Sequence, residues 1–376
     1  MDIAFKFDPE IIIGADTLAM AGTVCRRYGE RVMIAADNNV EPQTVMRLKE
    51  ILMDSRIEAI VFEGINENSN VDLAENIVDL GKAGHCNAII GIGGQKAQVI
   101  ARMAAIMAPE KIGIFELLEG RQCNGNFLPL IAIPTTSLDP FSLTEYFVAP
   151  DPRDKKLKYI HSPNNLYAAM IIDNTLLNFL SGPSAAASLF EGFFMATEAY
   201  CSARANFLSD AILERALNFY AKLIKSGAGG ISADTFAQAV FLASLGNAIS
   251  SPGIGSALSL AISARYPEAK QSCAAALLPV IAKRLVNARP EKMARVASFL
   301  GGAGKPASVA DAANTAIDNI QKAMTALKVR SSLKEFNISM DKVAAAAETA
   351  RNLEFIANSP WTVSGEDIFN ILQQIL

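Results

Sequence analysis

The sequence predicts two domains of different class: an α/β domain on a doubly wound parallel sheet over residues 1–181, and an all-α domain over 182–376. Three observations predict this. Short apolar runs alternate with amphipathic stretches through the first half. After about residue 182 only alanine-rich amphipathic segments follow, punctuated by glycine, proline and serine. A chain of 376 residues is long enough to bury two substantial cores.

The elements follow in order. "ERVMIAAD" (30–37), "IEAIVFEG" (57–64), "CNAIIGIGG" (86–94) and "LPLIAIPTT" (128–136) are apolar runs that end in polar or glycine-rich turns, the pattern of parallel strands buried on both faces. Between them the helical period appears in residues 16–29, 43–55, 72–84 and 97–108. Strand–helix alternation of this kind implies right-handed crossovers, with ligands bound at the loops after the strands. A strand or hairpin is expected around 143–173, and "SGPS" (181–184) is the natural boundary. In the second half the helical stretches run from "SAAASLFEGFFMATEAYCSA" to "GEDIFNILQQIL", where Ser364 to Asp367 reads as an N-cap with acidic residues in the first turn.

Composition excludes several classes. Apolar residues make up 51% and charged residues 19%, a globular balance, and the formal net charge is −4. The one short basic run, "DKKLK" (154–158), reads as a solvated loop, so no nucleic-acid partner is expected. No apolar run reaches the ~18–20 residues of a membrane span, so no membrane partner is expected either. The five cysteines are scattered without a C-x-x-C pair, which fits a reduced cytoplasmic protein better than a disulfide framework or a zinc knuckle. Only two histidines exist, His85 and His161, both in the first half, so the second half holds no multi-histidine metal site. Both are read as structural.

Two stretches carry possible chemistry. In "IIGIGGQKAQVIAR" (89–102) Gly91, Gly93 and Gly94 precede a helix, either exposing backbone N–H groups that could hold a diphosphate or merely letting a tight strand-to-helix turn form. Asp37, at the end of "IAAD", could accept bonds from an adenosine ribose and repel a 2′-phosphate, or could cap the next turn. In "SLFEGFFMATEAYCS" (188–202) Glu191 and Met195 share one helix face, a spacing used for metals, although a thioether is a poor ligand for a hard ion.

Taken in order, these pieces resemble the iron-containing alcohol dehydrogenase family, within the superfamily that includes glycerol dehydrogenase and dehydroquinate synthase. "AIIGIGGQKAQVIAR" stands where that family has G-G-G-S-x-x-D-x-A-K, and "IAIPTTSLDPFSLT" where it has P-T-T-x-G-T-G-S-E-x-T. "MATEAY" is similar to its H-A-x-E-A-Y, and "NSPWTVSGEDIFNIL" to its N-P-R-x-x-T-x-E-D-I. The resemblance covers nearly the whole chain and implies a dehydroquinate synthase-like fold with a Rossmann-like first domain. It also implies an NAD(P)-linked oxidoreductase acting on an alcohol or carbonyl, and a homo-oligomer, commonly a dimer.

The chemistry departs from that pattern. The family's four metal-ligand positions fall on Glu191, Met195, Ser256 and Lys270, so no bound iron or zinc is expected. The Lys270 ammonium is expected to face Glu191 where the metal would stand, making these the candidate catalytic residues. In the cofactor loop Gln95, Lys96, Val99 and Arg102 replace the family's glycine, serine, aspartate and lysine; Thr135, Thr136 and Thr144 persist. Leu138, Asp139, Pro140, Phe141 and Ser142 replace G-T-G-S-E, adding bulk and a negative charge near the dinucleotide position. The lysine near the family's reaction centre matches Lys156 or Lys158. The expectations are therefore a metal-independent oxidoreductase with NAD favoured over NADP by Asp37, on an unidentified small-molecule substrate. The alternative is a non-catalytic relative that binds a nucleotide or phosphorylated metabolite in the interdomain cleft.

Overall fold

The computed structural model describes residues 6–376 except 67, 124, 163–166, 178–182, 228–229, 302–307, 331, 337 and 339. The chain divides into two compact units, Met1–Asn178 and Phe179–Leu376. The boundary expected at 181/182 lies outside the described residues.

The first unit runs β1 (Glu10–Gly14), α1 (Ala21–Cys25), β2 (Arg31–Asp37), α2 (Pro42–Asp54), β3 (Glu58–Ile65), α3 (Leu73–Ala83), β4 (Ala88–Gly93), α4 (Gln95–Glu110), α5 (Ile114–Leu118), β5 (Leu130–Pro134), β6 (Tyr146–Pro150), β7 (Leu157–His161) and β8 (Tyr167–Asp173). Six strands form one sheet in the order β1-β8-β5-β4-β2-β3, and its pairings are parallel. Val32, Ile34 and Ala36 of β2 join Ile90 and Ile92 of β4 in a core shared with Leu48 and Leu52 of α2. β3 lies on one side of β2 and β4 on the other, so the winding reverses between β2 and β4. The carboxyl ends of these two strands therefore flank the crevice where sheets of this type bind ligands.

Two elements differ from the sequence reading. Residues 16–29 do not form one long helix; a 3₁₀ turn, Thr17–Met20, leads into the short α1. It is anchored by the Asp173 carboxylate, which accepts from the N–H groups of Asp16 (3.1 Å) and Leu18 (2.9 Å). The segment expected as a strand or hairpin becomes both, since β6 and β7 pair antiparallel while β8 returns to the main sheet between β1 and β5.

The second unit runs α6 (Pro183–Cys201), α7 (Phe207–Ser226), α8 (Ala233–Ile249), α9 (Ile254–Arg265), α10 (Lys270–Ala288), α11 (Pro290–Leu300), α12 (Val309–Ala326), α13 (Met340–Arg351) and α14 (Gly365–Ile375). The "SGED" signal forms a reciprocal cap: Asp367 N–H donates to Ser364 Oγ (3.1 Å), and Ser364 N–H to Asp367 Oδ2 (3.0 Å). Among the described residues no helix is long and apolar enough to cross a membrane.

α6 and α7 approach closely at Gly192. A Cβ there would lie 2.2 Å from the Tyr220 hydroxyl oxygen and 2.3 Å from its Cζ, and Tyr220 is fully buried. Gly192→Ala is expected to cost about 2 kcal/mol, the overpacking outweighing alanine's better helix propensity. Tyr220→Phe removes a buried hydroxyl that has no hydrogen-bond partner among the described residues and is expected to be neutral or stabilising. Urea unfolding reads both; a Gly192→Ala variant as stable as the parent would refute the close packing.

Candidate functional site

At the crevice, Gly93 has φ +137°, and a Cβ on it would lie 2.2 Å from Asp37 Cβ. Only glycine lets the end of β4 come this close to the end of β2. Gly94 then caps α4, and its N–H donates to Asp37 Oδ2 at 3.2 Å. Asp37 Oδ1 accepts from Asn39 N–H at 2.9 Å, so the aspartate also closes the turn after β2. Both expected roles of Asp37 draw on the same carboxylate, which is buried and sits at the N-terminus of α4, where a negative group is favoured. It holds one of the N–H groups that a diphosphate would use.

The other cofactor-loop residues are tied down in this unit. Gln95 and Lys96 are half-buried in the first turn of α4, and Gln95 Nε2 reaches the Ser137 carbonyl at 3.5 Å. Thr135 N–H donates to the Gly93 carbonyl (3.1 Å), Thr136 Oγ1 to the Ser137 carbonyl (3.3 Å), and Thr144 Oγ1 to the Phe141 carbonyl (3.0 Å). Gly93, Gly94, Thr136, Leu138 and Asp139 enclose about 160 Å³, a space with no room for the centre of a water-sized sphere.

What fastens the 138–144 segment is Arg102, a residue the sequence reading noted only as a replacement. It is fully buried on α4. Nη1 donates to the Phe141 carbonyl (3.0 Å) and Nη2 to the Thr144 carbonyl (2.9 Å). The guanidinium carbon lies 4.3 Å from the centroid of Phe147 and 5.4 Å from that of Tyr167, cation–π distances. Burial pushes the guanidinium below its ordinary pKa, while Tyr167 and Asp139 push it back up. The sequence signal was an arginine inside "AQVIARMAAIMA", apolar but for it and Gln98. Lys156 and Lys158 serve the β6–β7 hairpin, their Nζ atoms 3.7 Å from Asp154 and 4.0 Å from Asp151.

In the helical unit Glu198 is a buried carboxylate that accepts three hydrogen bonds. Its Oε1 accepts from Gly255 N–H (2.6 Å), and its Oε2 from Ser256 N–H (2.8 Å) and Ser256 Oγ (2.6 Å). Glu198 therefore caps α9 from α6, and Ser256 is spent on it. Burial pushes the Glu198 carboxyl above its ordinary value, against the pull of Ser256, Gly255 and Gly253. Glu191 is half-buried and Met195 buried on α6; Lys270 is half-buried at the start of α10, which packs against α6. At the four positions to which the resemblance assigns ligands stand a carboxylate, a thioether, a hydroxyl already bonded to Glu198 and an ammonium. That donor set does not fit iron or zinc. Among the described residues no group of three or more His, Cys, Asp or Glu converges on a metal position.

Comparison with known proteins matches both units. The family model for iron-containing alcohol dehydrogenase matches residues 8–174, and that for the C-terminal part of the Fe-containing alcohol dehydrogenase family matches residues 185–376. The 1,3-propanediol dehydrogenase of Citrobacter freundii is 22% identical over 369 residues, 96% of this chain and 95% of that protein. The choline dehydrogenase of Bacillus subtilis is 26% identical over 310 residues, 80% of this chain and 76% of that protein. A crystal structure of 1,3-propanediol oxidoreductase superposes with a TM-score of 0.91 at 21% identity over the whole of both chains.

Proposed function

Because the chain belongs to the iron-containing alcohol dehydrogenase family, we propose that it is an oxidoreductase that exchanges hydride between a nicotinamide dinucleotide and a small alcohol or its carbonyl, without a transition metal. The observation that carries the metal-independent part is the replacement of the ligand set by Glu191, Met195, Ser256 and Lys270, with Ser256 committed to Glu198. In this reading the Lys270 ammonium stabilises the developing alkoxide, and Glu191 keeps that ammonium charged and oriented. A nicotinamide dinucleotide would supply the hydride acceptor for the carbinol carbon, and the hydroxyl proton would pass to solvent as the carbonyl forms. The α4 N-terminus, with Gly93, Gly94, Gln95, Lys96, Thr135 and Thr136, holds the diphosphate; Asp37 disfavours a 2′-phosphate and so NADP. The active protein is a homo-oligomer, a state that sedimentation would report.

A second reading, a non-catalytic relative that holds a nucleotide or phosphorylated metabolite, draws support from the narrow glycine cradle and from the segment that Arg102 fastens over it. Nicotinamide fluorescence separates the two. Saturable enhancement or quenching of NADH is expected under the first reading, weaker for NADPH. No response at about millimolar levels of either, the top of the range of ordinary KM values, would remove it. Metal analysis of protein purified without chelator is expected to find iron and zinc well below one per chain; one near-equivalent would overturn the metal-independent mechanism.

A further inference from the structure

A second cavity in the first unit lies at the opposite end of the sheet from the glycine cradle. It encloses about 370 Å³ between the C-terminal ends of α3 and α4, against the amino ends of β2 and β4. Its wall is aliphatic, with Met33, Ile77, Ile89 and Leu128, and its rim carries Lys82 and His85. That volume falls in the lower range of pockets that take small organic ligands, roughly 300–1,000 Å³.

Three local features shape the cavity and its polar rim. Gly81 is buried in α3, yet a Cβ on it would meet only Met33 Cε, at 3.9 Å. An alanine would fit there and stabilise the helix by about 0.5–1 kcal/mol, so no packing contact accounts for the glycine. At the end of α4, Pro109 has no N–H for the ladder, and the Ala105 carbonyl takes the Leu128 N–H (3.0 Å) instead, which sets Leu128 in the wall. His85 holds the left-handed position after α3 (φ +52°) that glycine would adopt more cheaply, which places an imidazole at the rim. Neither Lys82 nor His85 has a side-chain ion pair or hydrogen bond among the described residues. Arg31 donates to the Gly84 carbonyl and pairs with Glu58.

We propose that this cavity binds a small amphiphilic carboxylate: an aliphatic chain of a few carbons enters between α3 and α4, and its carboxylate meets Lys82, with His85 beside it. The site is separate from the glycine cradle and does not depend on the oxidoreductase reading. Apolar walls supply the burial, and the unpartnered ammonium supplies a charge-assisted hydrogen bond.

Hexanoate is the probe. Titration calorimetry and thermal shift on the full chain are expected to give saturable, one-to-one binding, with hexan-1-ol and hexylamine weaker by about ten-fold or more for want of the anionic head. Gly81→Leu fills the cavity and is expected to abolish binding while leaving the melting temperature at or above that of the parent. The exposed Lys82→Glu change tests the head group without touching the core and is expected to weaken hexanoate by about ten-fold or more. Bound hexanoate is also expected to slow alkylation of Cys86, which lines the cavity, and not that of Cys123. Absence of saturable binding, unchanged affinity in Gly81→Leu, or equal affinity for hexanoate and hexanol would each overturn the proposal.

Discussion

Glu198→Ala is expected to destabilise the helical unit by about 4 kcal/mol, because three buried donors lose their acceptor at once. Gly255 N–H, Ser256 N–H and Ser256 Oγ all end on this one carboxylate, and the neighbouring Ser359 Oγ already accepts from Ile254 N–H at 3.1 Å. Guanidinium unfolding followed by circular dichroism reads the loss; a cost below about 1 kcal/mol, the scale of a single ordinary hydrogen bond, would mean that α9 finds another cap. The pH dependence has a definite sign. The carboxyl is raised in the folded chain above its ordinary value of 4.5, so between those two points the folded chain keeps a proton that the unfolded chain has released. Stability from this group is fully present below the ordinary value and declines as pH rises through the window. Glu198→Gln mimics the protonated form, so it is expected to flatten that part of the stability–pH curve at a smaller cost than alanine.

Arg102→Met is expected to destabilise the first unit by about 2 kcal/mol, since it nearly keeps the volume but leaves the Thr144 carbonyl without its buried donor and takes one donor from the Phe141 carbonyl, which keeps those of Thr144 N–H and Oγ1. Two ring contacts, with Phe147 and Tyr167, go with them. The loss is smaller than the bond count suggests because a buried guanidinium is itself costly, and methionine relieves that. The same change is expected to release residues 138–144. Hydrogen exchange at the N–H groups of Phe141, Ser142 and Thr144 would quicken in the variant; unchanged exchange there would show that Asp139, which accepts from Phe141 N–H at 2.6 Å, holds the segment alone.

What could be read from the sequence and what could not divide along physical lines. β2, β4 and β5 were legible because a strand buried on both faces must be a continuous apolar run, and each ends in a residue that turns the chain; β3, half-buried at the sheet edge, still showed its apolar "AIVF" before a glycine turn. β1 was not: "EIIIG" is five residues long, and its partner β8 lies more than 150 residues away, so only pairing identifies it as a strand. Asp37 and the glycine loop were visible as a motif, but two neighbours on a sheet had to be known before one carboxylate could be seen to serve both turns. Arg102 and Glu198 escaped for the same reason. Their partners stand 39 to 58 positions along the chain, and no periodicity encodes such a meeting.

The pairing of Glu10–Gly14 with Ala169–Asp173 has a consequence for synthesis. A nascent chain carries β2, β4 and β5 out of the ribosome well before β8 can be laid against β5, and until then β5 presents an open flank and β1 has nowhere to go. At ordinary elongation rates of about 5–20 residues per second that interval lasts seconds, long enough for chaperones to find the unfinished edge. A stall after β5 has left the ribosome and before β8 has followed it would keep that edge unpaired.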